Sequence, residues 1–180
     1  MARLEPPKME ELTPEQKAIY AAVSRSRPRV SGPFGVWLRT PAIADAANRL
    51  VNSVRDNGKL EKRQYELIVM TVASHWTASY AWAAHEETAK SVGLTAETIE
   101  AIRTKKKPSF SKPEDAMIHD AVKSLLENKK LNDDAYQGLL KQFGLEKTIE
   151  IVTIAGIYSM IATVLNGFEI PTPNDERPFQ

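Results

Sequence analysis

The sequence predicts an all-α fold, and three observations carry that expectation. Apolar residues recur at helical spacing through most of the 180 residues, and no segment alternates convincingly with period two. A capping Thr or Asn, or a first-turn Pro, opens most of these periodic stretches. Glycine, or a run of basic residues, closes several of them.

The elements follow in order. Thr13-Pro14-Glu15-Gln16 combines a capping threonine with proline at the first turn, and the helix it opens should end near Arg25. Residues 27–39 carry Pro28, Gly32, Pro33 and Gly35 and read as a loop. Phe34, Val36, Trp37 and Leu38 make that loop apolar enough to pack down. Thr40-Pro41 opens a second helix that Gly58 stops, and a third, densely apolar helix covers 61–75. Thr77 is the expected N-cap of a fourth helix, over about 78–92, closed by Gly93. Thr95 caps a short fifth helix ending in Lys105-Lys106-Lys107, which reads as a solvated helix end whose cations suit the dipole. Pro113 opens the sixth. Asn132 and Asp133 cap a seventh that Gly144 stops, and the eighth runs from Glu146 to Phe168. The two chain ends should be extended, around a core of 12–172 in a single domain.

Composition narrows the classes of function. Hydrophobic residues at 42% and charged residues at 26% are ordinary globular values. A net charge of +1 supplies no electrostatic reason to expect nucleic acid. The chain contains no cysteine, which excludes disulfides, thiolate metal sites and thiol nucleophiles and fits a cytoplasmic location. Residues 1–11 are charged and proline-bearing and do not read as a secretory signal. Residues 151–168 lack a charge and approach the length of a spanning helix. Thr153, Ser159, Thr163 and Asn166 favour a buried or subunit-interface helix over a membrane partner. A faint internal similarity pairs Glu66-Leu67-Ile68-Val69 with Glu150-Ile151-Val152-Thr153, each opening an apolar helix.

The residues able to carry chemistry cluster around the break between the third and fourth helices. Ala78, Ala81 and His85 fall on one helix face, at offsets of three, four and seven. Glu66 sits on the preceding helix and reaches His85 only if the two helices form a hairpin. Glu66 also lies close enough to Lys62 and Arg63 for a surface ion pair. His119, beside an amphipathic core face, reads as structural. His85-Glu86-Glu87-Thr88-Ala89 begins like a zinc-protease helix but has alanine where the second histidine belongs, so no metal is expected.

The segments Arg63-Gln64-Tyr65-Glu66-Leu67, Val72-Ala73-Ser74-His75-Trp76 and Tyr80-Ala81-Trp82-Ala83-Ala84-His85 resemble the carboxymuconolactone decarboxylase and alkylhydroperoxidase D (AhpD-like) superfamily. The likeness continues through Ala89–Thr95. Gly32-Pro33-Phe34 and Leu165-Asn166-Gly167-Phe168-Glu169 resemble its longer single-domain members. The resemblance implies a helical bundle with a central hairpin, assembled as a homotrimer or homohexamer. In the redox branch a glutamate, two cysteines and a histidine form the site. Glu66 and His85 match its ends, and Ala78 and Ala81 stand at the cysteine positions, so the thiol route is closed. The decarboxylase branch needs neither cysteine nor cofactor. It implies loss of carbon dioxide from a small unsaturated lactone acid, with His85 as acid and Glu66 as its partner. His75, Trp76, Tyr80 and Trp82 are candidates to line an apolar substrate pocket, and Arg39 to hold the substrate anion. The competing expectations are a peroxidase-like protein without redox cysteines and a non-catalytic oligomeric scaffold.

Overall fold

The computed structural model describes residues 3–5, 7–27, 29–174 and 176–179; expectations for residues 1, 2, 6, 28, 175 and 180 fall outside it. Among the described residues there are eight α-helices: α1 (Pro14–Ser24), α2 (Pro33–Trp37), α3 (Pro41–Arg55), α4 (Lys62–His75), α5 (Ser79–Ser91), α6 (Ala96–Arg103), α7 (Pro113–Asn128) and α8 (Asp133–Gly167). The all-α expectation holds, though the helices are divided differently. The 27–39 segment is not wholly loop, because α2 forms within it. Gly144, at φ 74° and ψ 172°, breaks α8 into two helical stretches at the stop expected between the seventh and eighth helices. A short 3-10 turn, Met9–Glu11, interrupts the N-terminal stretch expected to be extended.

The chain divides into two compact units, Met1–Gly58 with Val164–Pro171, and Lys59–Thr163 with Thr172–Gln180. In the first, α3 packs against α1 and α2. The Thr13 side chain accepts the Gln16 N–H, and Gln16 returns a bond to the Thr13 N–H, so α1 starts in a full capping box. Every residue of α2 is buried. Phe34 meets Trp37 edge-to-face at 5.2 Å, and the Arg27 guanidinium lies 4.1 Å above the Phe34 ring. That guanidinium also donates to Asn48 Oδ1 and Asn52 Oδ1, tying the segment to α3.

In the second unit α4 is the axis, contacting α5, α6 and α7. Its residues from Arg63 to Ser74 are all buried, as a helix with neighbours on every face must be. Glu61 stands at its N-cap, with Gln64 completing a capping box. The Arg63 guanidinium forms a buried ion pair with Asp115 of α7. The lead-in to α4 is held by α8: the Lys59 and Leu60 N–H groups donate to the Glu150 carboxylate, and Lys59 Nζ pairs with Glu146. The two glutamates that open similar apolar helices thus do different work, since Glu150 clamps backbone while Glu66 faces a histidine. By length and composition α8 is able to cross a membrane, and half of its most apolar stretch is buried within the chain. The segment after Pro171 does not run free as an extended tail. Phe179 meets Trp82 edge-to-face at 5.2 Å, and Arg103 donates to the Pro178 carbonyl.

Candidate functional site

The turn between α4 and α5 builds the site. Trp76 is the C-cap of α4, Thr77 follows at φ 47°, and the Ala78 N–H returns to the Ala73 carbonyl at 2.9 Å. The Thr77 N–H bonds the Ser74 carbonyl at 3.2 Å, completing a Schellman turn. Thr77 is therefore not the N-cap of α5; Ala78 is, and its methyl side chain accepts nothing. The reason is that the left-handed turn consumes Thr77 as the residue after the cap of α4. A β-branched residue is a poor occupant there. Glycine at 77 removes about 1–2 kcal/mol of left-handed strain and adds about 0.5–1 kcal/mol of chain entropy cost. We expect Thr77→Gly to raise the urea midpoint slightly, and a lowered midpoint would count against the strain.

The turn reverses the chain, and α4 and α5 pack as the hairpin that a Glu66–His85 contact requires. Glu66 Oε2 lies 2.8 Å from His85 Nδ1. Glu66 is buried, and the His85 side chain keeps 23% of its surface exposed, so the pair is shielded yet reachable. A carboxylate only accepts, so Nδ1 carries the proton and Nε2 of the neutral ring presents its lone pair. Opposite Nε2, at 3.3 Å, stands the Tyr158 hydroxyl of α8, and the Tyr65 hydroxyl lies 2.9 Å beyond it. With the Tyr158 proton directed to Nε2, Tyr65 donates in turn to Tyr158. The rings are seated edge-to-face, His85 on Tyr158 at 5.3 Å and Tyr158 on Tyr65 at 5.9 Å. Four side chains thus form a line, Tyr65–Tyr158–His85–Glu66.

The surface ion pair weighed for Glu66 does not form, because Arg63 turns to Asp115 and Glu61 instead. Ala78 and Ala81 are both buried. The other expected residues scatter. Trp82 is fully buried, with Nε1 donating to Glu86 at 2.9 Å. Trp76 and Tyr80 are partly exposed near the start of α5, with Trp76 edge-on to His75 at 5.9 Å. His75 lines a different cavity, formed with α6 and α7. Arg39 belongs to the first unit, where it donates to the Glu5 carbonyl. Tyr158 and Tyr65 were missed from the sequence. The available signal was a lone phenol within the charge-free stretch of α8, at the start of which Glu150 mirrors Glu66.

Residues 41–108 match the model of the carboxymuconolactone decarboxylase family. That segment is less than half of the chain, and over it the chain is similar to this family. No curated protein matches it. Among solved structures, a peroxidase-related protein from Silicibacter sp. TM1040 superposes with TM-score 0.79 at 14% identity, covering 98% of this chain and 94% of that one. A peroxidase-related protein with an AhpD core from Ralstonia eutropha JMP134 gives TM-score 0.80 at 15% identity, covering 99% and 94%. A variant of the debrominase Bmp8 in complex with 2,3,4-tribromopyrrole gives TM-score 0.75 at 14% identity, covering 96% and 91%. At these identities the likeness establishes the AhpD-like fold. The family segment contains Glu66, His85 and both alanines, while Tyr158 lies beyond it.

Proposed function

We propose that the protein is a cofactor-independent lyase of the carboxymuconolactone decarboxylase type, acting on a small lactone acid by acid–base chemistry. The observation that carries this reading is His85, held at Nδ1 by Glu66 and faced at Nε2 by Tyr158. In the reaction the bond between the substrate ring and its carboxylate breaks, carbon dioxide leaves, and the electron pair drains into the conjugated lactone carbonyl. The resulting dienolate needs one proton at carbon. Protonated His85 delivers it from Nε2, and Glu66, bonded at Nδ1, fixes the ring's orientation. Water then restores the proton. A hydrogen bond of 3.3 Å from Tyr158 is long enough to yield to a substrate atom. Thiol-dependent peroxide reduction has no nucleophile here, since the chain has no cysteine.

The test is to incubate the protein with carboxymuconolactone and follow the lactone's ultraviolet absorbance. Enzyme-dependent loss with release of carbon dioxide is expected, and no change at stoichiometric enzyme would reject this substrate.

The same reading includes self-association into a trimer or hexamer. Leu145, Ile149, Val152 and Met160 project from α8 as exposed apolar side chains. Gly156 leaves open space between them, where another backbone could approach. Such a face is best covered by a second copy. Sedimentation at micromolar concentration should give an oligomer that Ile149→Asp disrupts, and a monomeric parent protein would end the proposal.

A further inference from the structure

A cavity of about 350 Å³ opens in the second unit among α4, the end of α6 and α7. Its charge is one-sided. Lys105, Lys106 and Lys123 line it with His75 and His119, against Glu127 alone. None of these residues belongs to the line from Tyr65 to Glu66.

Two local features hold this charge in place. First, α6 ends in a Schellman turn, with the Lys106 N–H on the Ala101 carbonyl at 2.9 Å and the Lys105 N–H on Ile102 at 3.2 Å. Lys105 occupies the left-handed position at φ 57°, so both lysine backbones are tethered at the cavity wall. Second, His119 is more than nine-tenths buried, with its Nδ1 2.9 Å from the Asp120 carboxylate. Nδ1 therefore carries the proton. Nε2 makes no hydrogen bond among the described residues.

Like charges around so small a space repel. Burial first, and then Lys129 and Lys105, push His75 below the usual histidine range. An anion seated between the cations would relieve that repulsion, and the volume suits a small molecule. No arginine lines the cavity, so planar bidentate recognition of carboxylate is missing, whereas point-charge ammonium groups suit a phosphate dianion. Ile102 and Leu126 add an apolar wall for a carbon substituent.

We propose that this cavity binds a small phosphate monoester, its dianion held by Lys105, Lys106 and Lys123 with His119 buried at the wall. His75, expected from the sequence beside the substrate of His85, is thereby assigned to a different ligand.

The chain has three histidines, and each reports on a known place: His75 and His119 on this cavity, His85 on the Glu66 pair. Titrating the full-length protein with glycerol 2-phosphate should shift the imidazole resonances of His75 and His119 saturably and leave His85 unmoved. Lys105→Gln and Lys123→Gln should each weaken binding by roughly tenfold, about 1.4 kcal/mol. Neither residue touches the Glu66 pair, so the His85 resonance serves as a check that both variants are folded. Citrate should bind more weakly than the phosphate ester. The proposal is overturned if no resonance saturates at millimolar ligand, if both folded variants bind as well as the parent, or if citrate binds as tightly.

Discussion

If the protein has the proposed decarboxylase activity, replacing His85 with alanine should lower that rate by roughly 10²–10⁴-fold, the range of a positioned general acid. The fall should appear in kcat more than in KM, because the imidazolium is needed when carbon is protonated rather than when the lactone docks. Glu66→Gln should reproduce much of the loss. Glutamine keeps the shape but removes the acceptor-only character that directs the proton to Nδ1 and orients the ring. Tyr158→Phe should have a smaller effect, since a 3.3 Å hydrogen bond contributes modestly. Circular dichroism and urea midpoints must accompany the rates, because Glu66 is buried. Folded variants with rates within twofold of the parent would sink the acid–base reading. Lower stability with unchanged activity would assign the pair to packing.

The second large effect concerns folding. Arg63→Ala should destabilise the protein by about 3–5 kcal/mol, the cost of leaving one partner of a buried ion pair alone. Only 10% of the Arg63 side chain and 4% of the Asp115 side chain is exposed. Asp115 Oδ1 already lacks a hydrogen-bond partner, so nothing nearby would take over the charge. Domains of this kind are stable by about 5–15 kcal/mol, so the variant would lose a large share of the total. Part of the loss is packing, because the arginine stem runs beside Gly93, the left-handed residue that closes α5. The double replacement Arg63→Met with Asp115→Leu should recover much of the stability, since removing both charges removes the desolvation cost. Urea unfolding of the single and double variants measures this directly. A single-variant loss below about 1 kcal/mol would place the pair energetically among surface bridges.

Several features of the site were legible in the sequence because they depend on local spacing. Ala78, Ala81 and His85 share a face by helical periodicity alone. Gly93 and Gly144 mark breaks because their backbones need positive φ. Thr77 misled for a related reason. Its side chain suggested a cap for α5, but the preceding helix needed a left-handed residue at that position, and the closing turn of α4 prevailed. Proline and glycine in 27–39 argued for loop, yet burial of Phe34 and Trp37 against one another brought α2 into being. Trp82 resembled a pocket residue on type alone, yet it is fully buried, with Phe179, almost a hundred residues later, edge-to-face on its ring.

By itself the sequence determined the helical character of the chain, its principal breaks, the exclusion of thiol chemistry, and a carboxylate and imidazole spaced to meet across a hairpin. The helices and breaks follow from the dihedral preferences and periodicity of short segments, the exclusion of thiol chemistry from composition, and the Glu66–His85 match from the family resemblance. The tertiary structure decided the rest. It brought Tyr158 to His85 from 73 positions away, turned Arg63 from Glu66 to Asp115, and gathered His75, His119 and the lysines after α6 around one cavity. Those pairings depend on which helix faces meet, and that is settled by packing among segments far apart in the chain, where no local pattern records the partner.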